Sequence, residues 1–332
     1  MPVTRQWLLN GHPRQRPISD DDFRLVQTEI PRPGDGQMLL ATRWLGFDPA
    51  QKGWMENIAD YVAPLEIGDV MRGSAISEVI ESRHPDFAPG DLVVGTTGWV
   101  ELSLSDGTGI ETMTTALSPT AMLSILGTTG MTAWCGLFKR GRPVAGDTVL
   151  ISGAAGATGS LVGQLAKIAG CRVVGIAGGA EKCSWLIDHA GFDAAIDYLS
   201  QSFEADLAKH LPTGADVVFD NVGGRILDAM LGHIATGARV VICGGISRNE
   251  TGGLPEGPKN YFNLVFRRAS MTGFIVLDWA AEFPAIRRRL EGLVLDGRLT
   301  YREDVQHGFE KAPATLKRLF SGKNFGKQLL KL

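Results

Sequence analysis

The sequence predicts an α/β protein in which a strand-rich, barrel-like domain is joined to a doubly wound parallel sheet. Three observations lead there. The chain has 332 residues, beyond the ~250–300 at which one hydrophobic core usually divides. Its texture changes near residue 125, from short apolar runs broken by turn formers to a regular alternation of strand and helix patterns. In "DTVLISGAAGATGSLVG", from Asp147, a glycine-rich loop stands between a predicted strand and a predicted helix.

Composition narrows the class. With 44% apolar residues and a formal net charge of −3, the chain is neither a basic nucleic-acid binder nor a membrane-surface protein, so a small-molecule substrate is expected. The start "MPVTRQWLLNGHPRQRP" has only a few apolar residues between polar ones, and no window approaches ~18 uninterrupted apolar residues. A cytoplasmic location is expected. Cys135, Cys171, Cys183 and Cys243 form no C-x-x-C pair and sit in apolar or helical contexts, which predicts buried free thiols and no metal site.

Before residue 125, "RPGDGQMLLATRWLGFDP", "RGSAISEVIES" and "FAPGDLVVGTTGWVELSLSDG" alternate β-branched residues with closely spaced Gly and Pro, the pattern of short strands. After it come a strand, "DTVLISG", and a helix with Leu161, Val162, Leu165, Ala166 and Ile168 on one face. "CRVVGIAG" is a second strand, "EKCSWLIDHAG" a second helix and "AAIDY" a third strand. "ADVVFDNVGG", "ARVVICGG" and "MTGFIVLDW" are runs too short for helices and rich in β-branched residues. Repeated βα units with buried strands make a parallel, doubly wound sheet.

The loop Gly153, Ala154, Ala155, Gly156, Ala157, Thr158, Gly159 fits a dinucleotide pyrophosphate. Gly156 lets the backbone approach it, Gly159 lets the helix pack against the sheet, and the N–H groups of the first helical turn face the phosphate. After the second strand an NAD-binding chain carries an acid that binds the ribose hydroxyls. Here Gly178 and Gly179 leave space and backbone N–H groups, and Lys182 offers an ammonium that can pair with a 2′-phosphate. The expected cofactor is NADPH.

The blocks "GTTGMTAWCGL", "AAGATGSLVGQLAKIAGCRVVGIAGGAEKC", "VVFDNVGG", "VVICGGIS", "MTGFIV" and "GKNFGKQLLKL" together resemble the zinc-independent medium-chain dehydrogenases/reductases. The nearest branch is the group of prostaglandin reductase, leukotriene B4 12-hydroxydehydrogenase, plant double-bond reductase and bacterial curcumin reductase. The resemblance implies a GroES-like catalytic domain over 1–125, completed by 301–332, and a Rossmann NADP-binding domain over 126–300. It also implies that "MTGFIV" is an edge strand pairing with its copy in a homodimer.

Zinc relatives carry a Cys or His near residue 40 and a later "GHE" block. Here "TRWLGFDPAQKG" and "IGDVMRGSAISEV" supply neither, and a catalytic zinc needs three protein ligands around an open site. His84, His189, His210 and His233 lie apart in predicted loops or helices.

Without a Lewis acid, the chemistry that suits a hydride donor is conjugate reduction of an α,β-unsaturated ketone or aldehyde. The protein then needs to align the ring and place a donor near the developing enolate, and one such donor is worth ~10²–10³ in rate. By resemblance, Tyr61 in "NIADYVAPLEIGDVMRG" lies at the mouth of the cleft and Tyr261 in "GPKNYFNLVFRR" faces it from the Rossmann side. Each is read as a hydrogen-bond donor or an aromatic wall.

Two positions depart from the relatives. Phe266 stands where the prostaglandin and plant enzymes have a tyrosine, and Ala50 where many relatives have the tyrosine of "DPYMR". Together they imply a wider, more apolar pocket suited to an aryl substrate. The resemblance further assigns Tyr198, Asn221 and Asn324 to the cofactor. It places Cys243, Gly244, Gly245, Ile246 and Ser247, with Phe274, Ile275 and Val276, along the nicotinamide. Met131 and Thr132 are expected to open the helix under the ring.

Arg72, Arg248 and Lys259 are equally read as partners of an acidic substrate group or as solvated side chains. Three alternatives remain at this point: a quinone reductase, a carbonyl reductase, and a non-enzymatic NADPH-binding regulator on the same fold.

Overall fold

A computed structural model describes residues 3–14, 16–58, 61–249 and 256–332. The chain forms two compact units, Met1–Ser124 with Glu303–Leu332 and Ile125–Arg302. The fold class is the one the sequence predicts, a β-rich unit and a doubly wound α/β unit.

The first unit begins with a hairpin of β1 (Val3–Leu9) and β2 (Phe23–Glu29), in register from Leu9 opposite Phe23 to Val3 opposite Glu29. Ser19 caps the turn before β2 through a capping box with Asp22, which Arg16 pairs. Then come β3 (Met38–Gly46), α1 (Ala50–Met55), β4 (Ala75–Ser82), β5 (Leu92–Gly95), β6 (Leu102–Ser105) and β7 (Glu111–Thr112). Leu9, Phe23, Leu45, Phe47, Met55 and Trp99 share one core, with Trp99 stacked on Phe23 at 5.6 Å. Met38, Leu40, Val79 and Val93 form another.

The second unit opens with α2 (Thr128–Cys135), which continues as a π-helical turn over Gly136–Gly141. There follow β8 (Thr148–Ser152), α3 (Ala157–Ile168), β9 (Arg172–Ala177), α4 (Ala180–Asp188), β10 (Ala194–Asp197), α5 (Phe203–His210) and β11 (Ala215–Asp220). The unit closes with α6 (Gly224–Leu231), β12 (Ile234–Ile242), α7 (Asn263–Phe266), β13 (Ser270–Gly273) and α8 (Phe283–Leu295). Its strands lie parallel in the order β10-β9-β8-β11-β12-β13. The direction of winding reverses between β8 and β11, where such sheets bind ligands at the carboxyl ends of their strands.

The chain ends with β14 (Glu303–His307), α9 (Ala312–Phe320) and β15 (Lys327–Lys331). β15 pairs antiparallel with β3, completing a sheet of order β14-β15-β3-β4-β5-β7 with β6 also on β3.

Four local expectations need correction. The strand expected through "MTGFIV" ends at Gly273; Phe274 turns out of the sheet and packs against Trp279 at 5.9 Å, and Val276 begins a 3-10 turn. Met131 and Thr132 do not open their helix, because α2 starts at Thr128 behind Gly127, and Met131 is buried a turn further in. Of the thiols, Cys135 and Cys171 are buried, but Cys183 and Cys243 are half-buried. Ile168 is also only half-buried, whereas α3 buries Gly163 and Gln164 as well, so this helix is enclosed over more than one face. Among the described residues no helix is long and apolar enough to cross a membrane.

Candidate functional site: the carboxyl ends of the parallel strands

The glycine loop follows β8. A Cβ at Gly159 would lie 2.4 Å from the Gly153 carbonyl oxygen and 2.9 Å from Ala154 Cα, so only glycine lets α3 start this close to the loop. Gly156 is the cap of α3 and has no side chain to occupy the first turn, so those N–H groups remain for an external anion. Ala157 and Thr158 are half-buried in that turn, and Ala155 is buried beneath it. A helix of this length with an open N-terminus fits a pyrophosphate.

At the end of β9, the expected role of the two glycines needs revision. The space at Gly178 is already filled: Tyr198 lies against it, and a Cβ there would be 2.9 Å from Tyr198 Cε1. The Gly179 N–H donates to Asp197 Oδ1 at 2.9 Å, as does the Leu199 N–H. Asp197 therefore spends its charge on the backbone of this turn, and Gly179, at φ +89°, is not an open donor. Lys182 sits in the first turn of α4, half-buried, beside exposed Glu181.

The ends of β11 and β12 are tied to β8. Ser152 Oγ donates to Asp220 Oδ1 at 2.6 Å and accepts the Asn221 N–H at 2.9 Å. The Asn221 side-chain amide donates to the Ser152 carbonyl at 2.7 Å, which ties that nitrogen to the turn. The Cys243 and Gly244 N–H groups both donate to the Asp220 carbonyl. Ile246 N–H donates to the Asn221 carbonyl, and Ser247 bonds Val222 O through both its N–H and its Oγ, the latter at 2.6 Å. Residues Cys243 to Ser247, Gly245 included, thus form one half-buried strip stapled to the turn after β11. Burial, and secondarily the Asp220 carboxylate, pushes the Cys243 thiol up to about 12, so it is a neutral packing group. Phe274 and Val276 are half-buried and Ile275 is exposed.

Tyr261 lies in the 3-10 turn Lys259–Phe262 that leads into α7, with its side chain exposed. Its ring meets Phe262 edge-on at 6.2 Å, and Phe262 meets Phe266 at 5.2 Å. The structure therefore gathers Tyr261 and Phe266 into one exposed aromatic cluster. Arg248 and Lys259 are exposed.

In the β-rich unit, Ala50 and Trp54 lie one turn apart on α1. Trp54 Nε1 donates to Tyr61 Oη at 3.3 Å, Arg72 stands over the Trp54 ring at 5.7 Å, and Arg72 Nη1 donates to the Ala63 carbonyl at 2.9 Å. Arg72 is thus a support of the Trp54–Tyr61 pair. Asn324 is half-buried, its amide donating to Gly326 O at 3.1 Å. Sequence reading missed Trp54, Ser152 and Asp220. Among the described residues, no group of three His, Cys, Asp or Glu side chains is arranged to hold a metal ion.

Comparison with known proteins places this geometry in a family. Residues 5–113 match the model described as N-terminal domain of oxidoreductase, and residues 157–291 the model described as zinc-binding dehydrogenase. The chain is 37% identical to the NADPH-dependent curcumin reductase of Escherichia coli, covering 99% of this chain and 96% of that protein. It is 38% identical to the 2-alkenal reductase (NADP(+)-dependent) of Nicotiana tabacum, covering 97% and 94%. The crystal structure of CurA from Vibrio vulnificus in complex with NADPH superposes with a TM-score of 0.92 at 38% identity, over 98% of each chain. The chain belongs to the zinc-independent medium-chain dehydrogenases/reductases, in the group of the prostaglandin, alkenal and curcumin reductases.

Proposed function

We propose that this protein is an NADPH-dependent reductase of carbon–carbon double bonds conjugated to a ketone or aldehyde, with aryl enones as favoured substrates. The observation that carries the reading is an intact phosphate cradle, Gly156 to Gly159 at the open start of α3, in a chain similar over nearly its whole length to NADP-dependent reductases. When bound, NADPH supplies a hydride to the substrate β-carbon, the π electrons move to the carbonyl oxygen, and a proton completes the α-carbon.

The residues divide the work. The first turn of α3 holds the pyrophosphate, and Lys182, with Tyr198 beside Gly178, receives the 2′-phosphate end. Tyr61 offers a phenolic proton to the carbonyl oxygen. Its own oxygen accepts the Trp54 N–H, which polarises the hydroxyl and strengthens it as a donor. Within the second unit Tyr261 is the second candidate donor and Phe266, edge-on to Phe262, offers an apolar face to an aryl group; in the first unit Ala50 adds little bulk at the start of α1.

The homodimer is part of the proposal. β13 is exposed along its length at the edge of the parallel sheet, Met271 included, and Ile275 and Leu277 are exposed just beyond it. An unpaired edge with apolar neighbours is suited to pairing with its own copy. A cytoplasmic location is supported by four free thiols.

The test measures NADPH and NADH oxidation with 4-phenyl-3-buten-2-one, a linear 2-alkenal, a quinone and a simple ketone, identifying products by mass spectrometry. The expected result is NADPH-specific formation of the saturated aryl ketone, with Lys182→Ala raising KM for NADPH about tenfold or more and leaving KM for NADH unchanged. Faster turnover of the quinone, or NADPH binding without turnover of any substrate, would contradict the reading.

A further inference from the structure

Three acidic side chains are buried among the described residues: Asp22, Glu56 and Asp220. Arg16 pairs with Asp22, and Lys52 lies 3.0 Å from Glu56. Asp220, with no solvent exposure at all, forms no ion pair with any described lysine, arginine or histidine. Burial raises its carboxyl above the usual carboxylate range, and three hydrogen bonds offset only part of that rise. All three are donated to it: Ser152 Oγ at 2.6 Å and the Val222 N–H at 3.1 Å to Oδ1, and the Gly223 N–H at 2.9 Å to Oδ2. Because Ser152 Oγ accepts the Asn221 N–H, its own proton is directed at Asp220. This is the arrangement of an ionised acceptor.

A buried carboxylate without a cation is costly to keep. Its place in the fold suggests why it is kept. Asp220 ends β11 beside Ser152 of β8, at the reversal of winding where doubly wound sheets bind dinucleotides. Its carbonyl also holds Cys243 and Gly244, the start of the strip assigned to the nicotinamide. The side chain that faces it from just beyond the end of β12 is the Cys243 thiol, which is neutral. The Gly223 N–H that binds it caps α6, so the start of that helix supplies partial positive charge; a full positive charge is one the reaction itself creates, since the nicotinamide ring is neutral in NADPH and cationic in NADP+.

We propose that Asp220 is a fixed counter-charge to the oxidised nicotinamide, favouring NADP+ over NADPH and so favouring release of the hydride. The proposal rests on the NADPH reading above. It makes Asp220 a positioned charge acting through the turn after β11, whose effect grows as the ring becomes cationic, which is the condition for accelerating the step.

Titration calorimetry on the full chain with NADP+ and with NADPH, for the native protein and Asp220→Asn, provides the test. Asparagine keeps the shape and an acceptor oxygen but removes the charge. NADP+ should bind about tenfold more weakly to the variant while NADPH changes less than about twofold. Equal weakening of both forms, or no change in either, would overturn the proposal and leave Asp220 a structural tie. Should Asp220→Asn fail to fold, the native protein decides: NADP+ should bind at least as tightly as NADPH, and the reverse order by about tenfold would overturn the proposal. Binding of neither form would overturn the NADPH reading itself, and the inference with it.

Discussion

Tyr61 is the side chain on which the proposed chemistry turns most directly. Its oxygen accepts the Trp54 N–H at 3.3 Å, so its proton is free to be given to a substrate oxygen. Tyr61→Phe should lower kcat by about 10²–10³ while leaving KM for NADPH unchanged, read by steady-state kinetics with the aryl enone. Trp54→Phe keeps the ring under Arg72 but removes the N–H, and its smaller loss should vanish in the Tyr61→Phe background. Tyr61 was singled out in the sequence because there are only four tyrosines and its block resembles one in the bacterial relatives. Trp54 was not, because a pair linking a helix to the loop beyond it follows no periodicity. Asp220 was hidden for another reason: at the end of "ADVVFD" it reads as the polar residue closing an apolar strand, and only the pairing of β11 with β8 brings Ser152 to it.

Among the elements, α1 matters most to Ala50 and Trp54. This short helix, Ala50–Met55, carries Lys52, which together with Glu56 just beyond the helix end makes an ion pair at 3.0 Å with both side chains nearly inaccessible. Glu56→Gln would leave the Lys52 ammonium buried without its carboxylate, at a cost of about 3 kcal/mol, or roughly 10 °C in Tm. Differential scanning calorimetry checks this, and a change under about 2 °C would show that the pair is not structural. The parallel strands of the second unit were legible from their apolar runs. The end of β13 was not, since Phe274, Ile275 and Val276 continue a β-favouring pattern after the chain has left the sheet. Phe274 packs on Trp279, and a Cβ at Gly136 would lie 2.7 Å from its ring, so the turn is set by tertiary packing that overrides local propensity.

For the whole molecule, the doubly wound unit was the more readable half because each βα unit is local in sequence. The β-rich unit showed only as texture, since β15 and β3, which pair, come from opposite ends of the chain. The proposed dimer belongs to this scale. Light scattering after size-exclusion chromatography should give a mass near twice the chain's 35.6 kDa, and Met271→Arg, which puts a charge on the exposed edge strand, should shift it to the monomer. The central claim, conjugate reduction by hydride from NADPH, is tested most directly with NADPH deuterated at C4 and 4-phenyl-3-buten-2-one, followed by NMR of the product. The expected product is a saturated ketone with one deuterium on the β-carbon. Deuterium on the carbinol carbon of an allylic alcohol would contradict it.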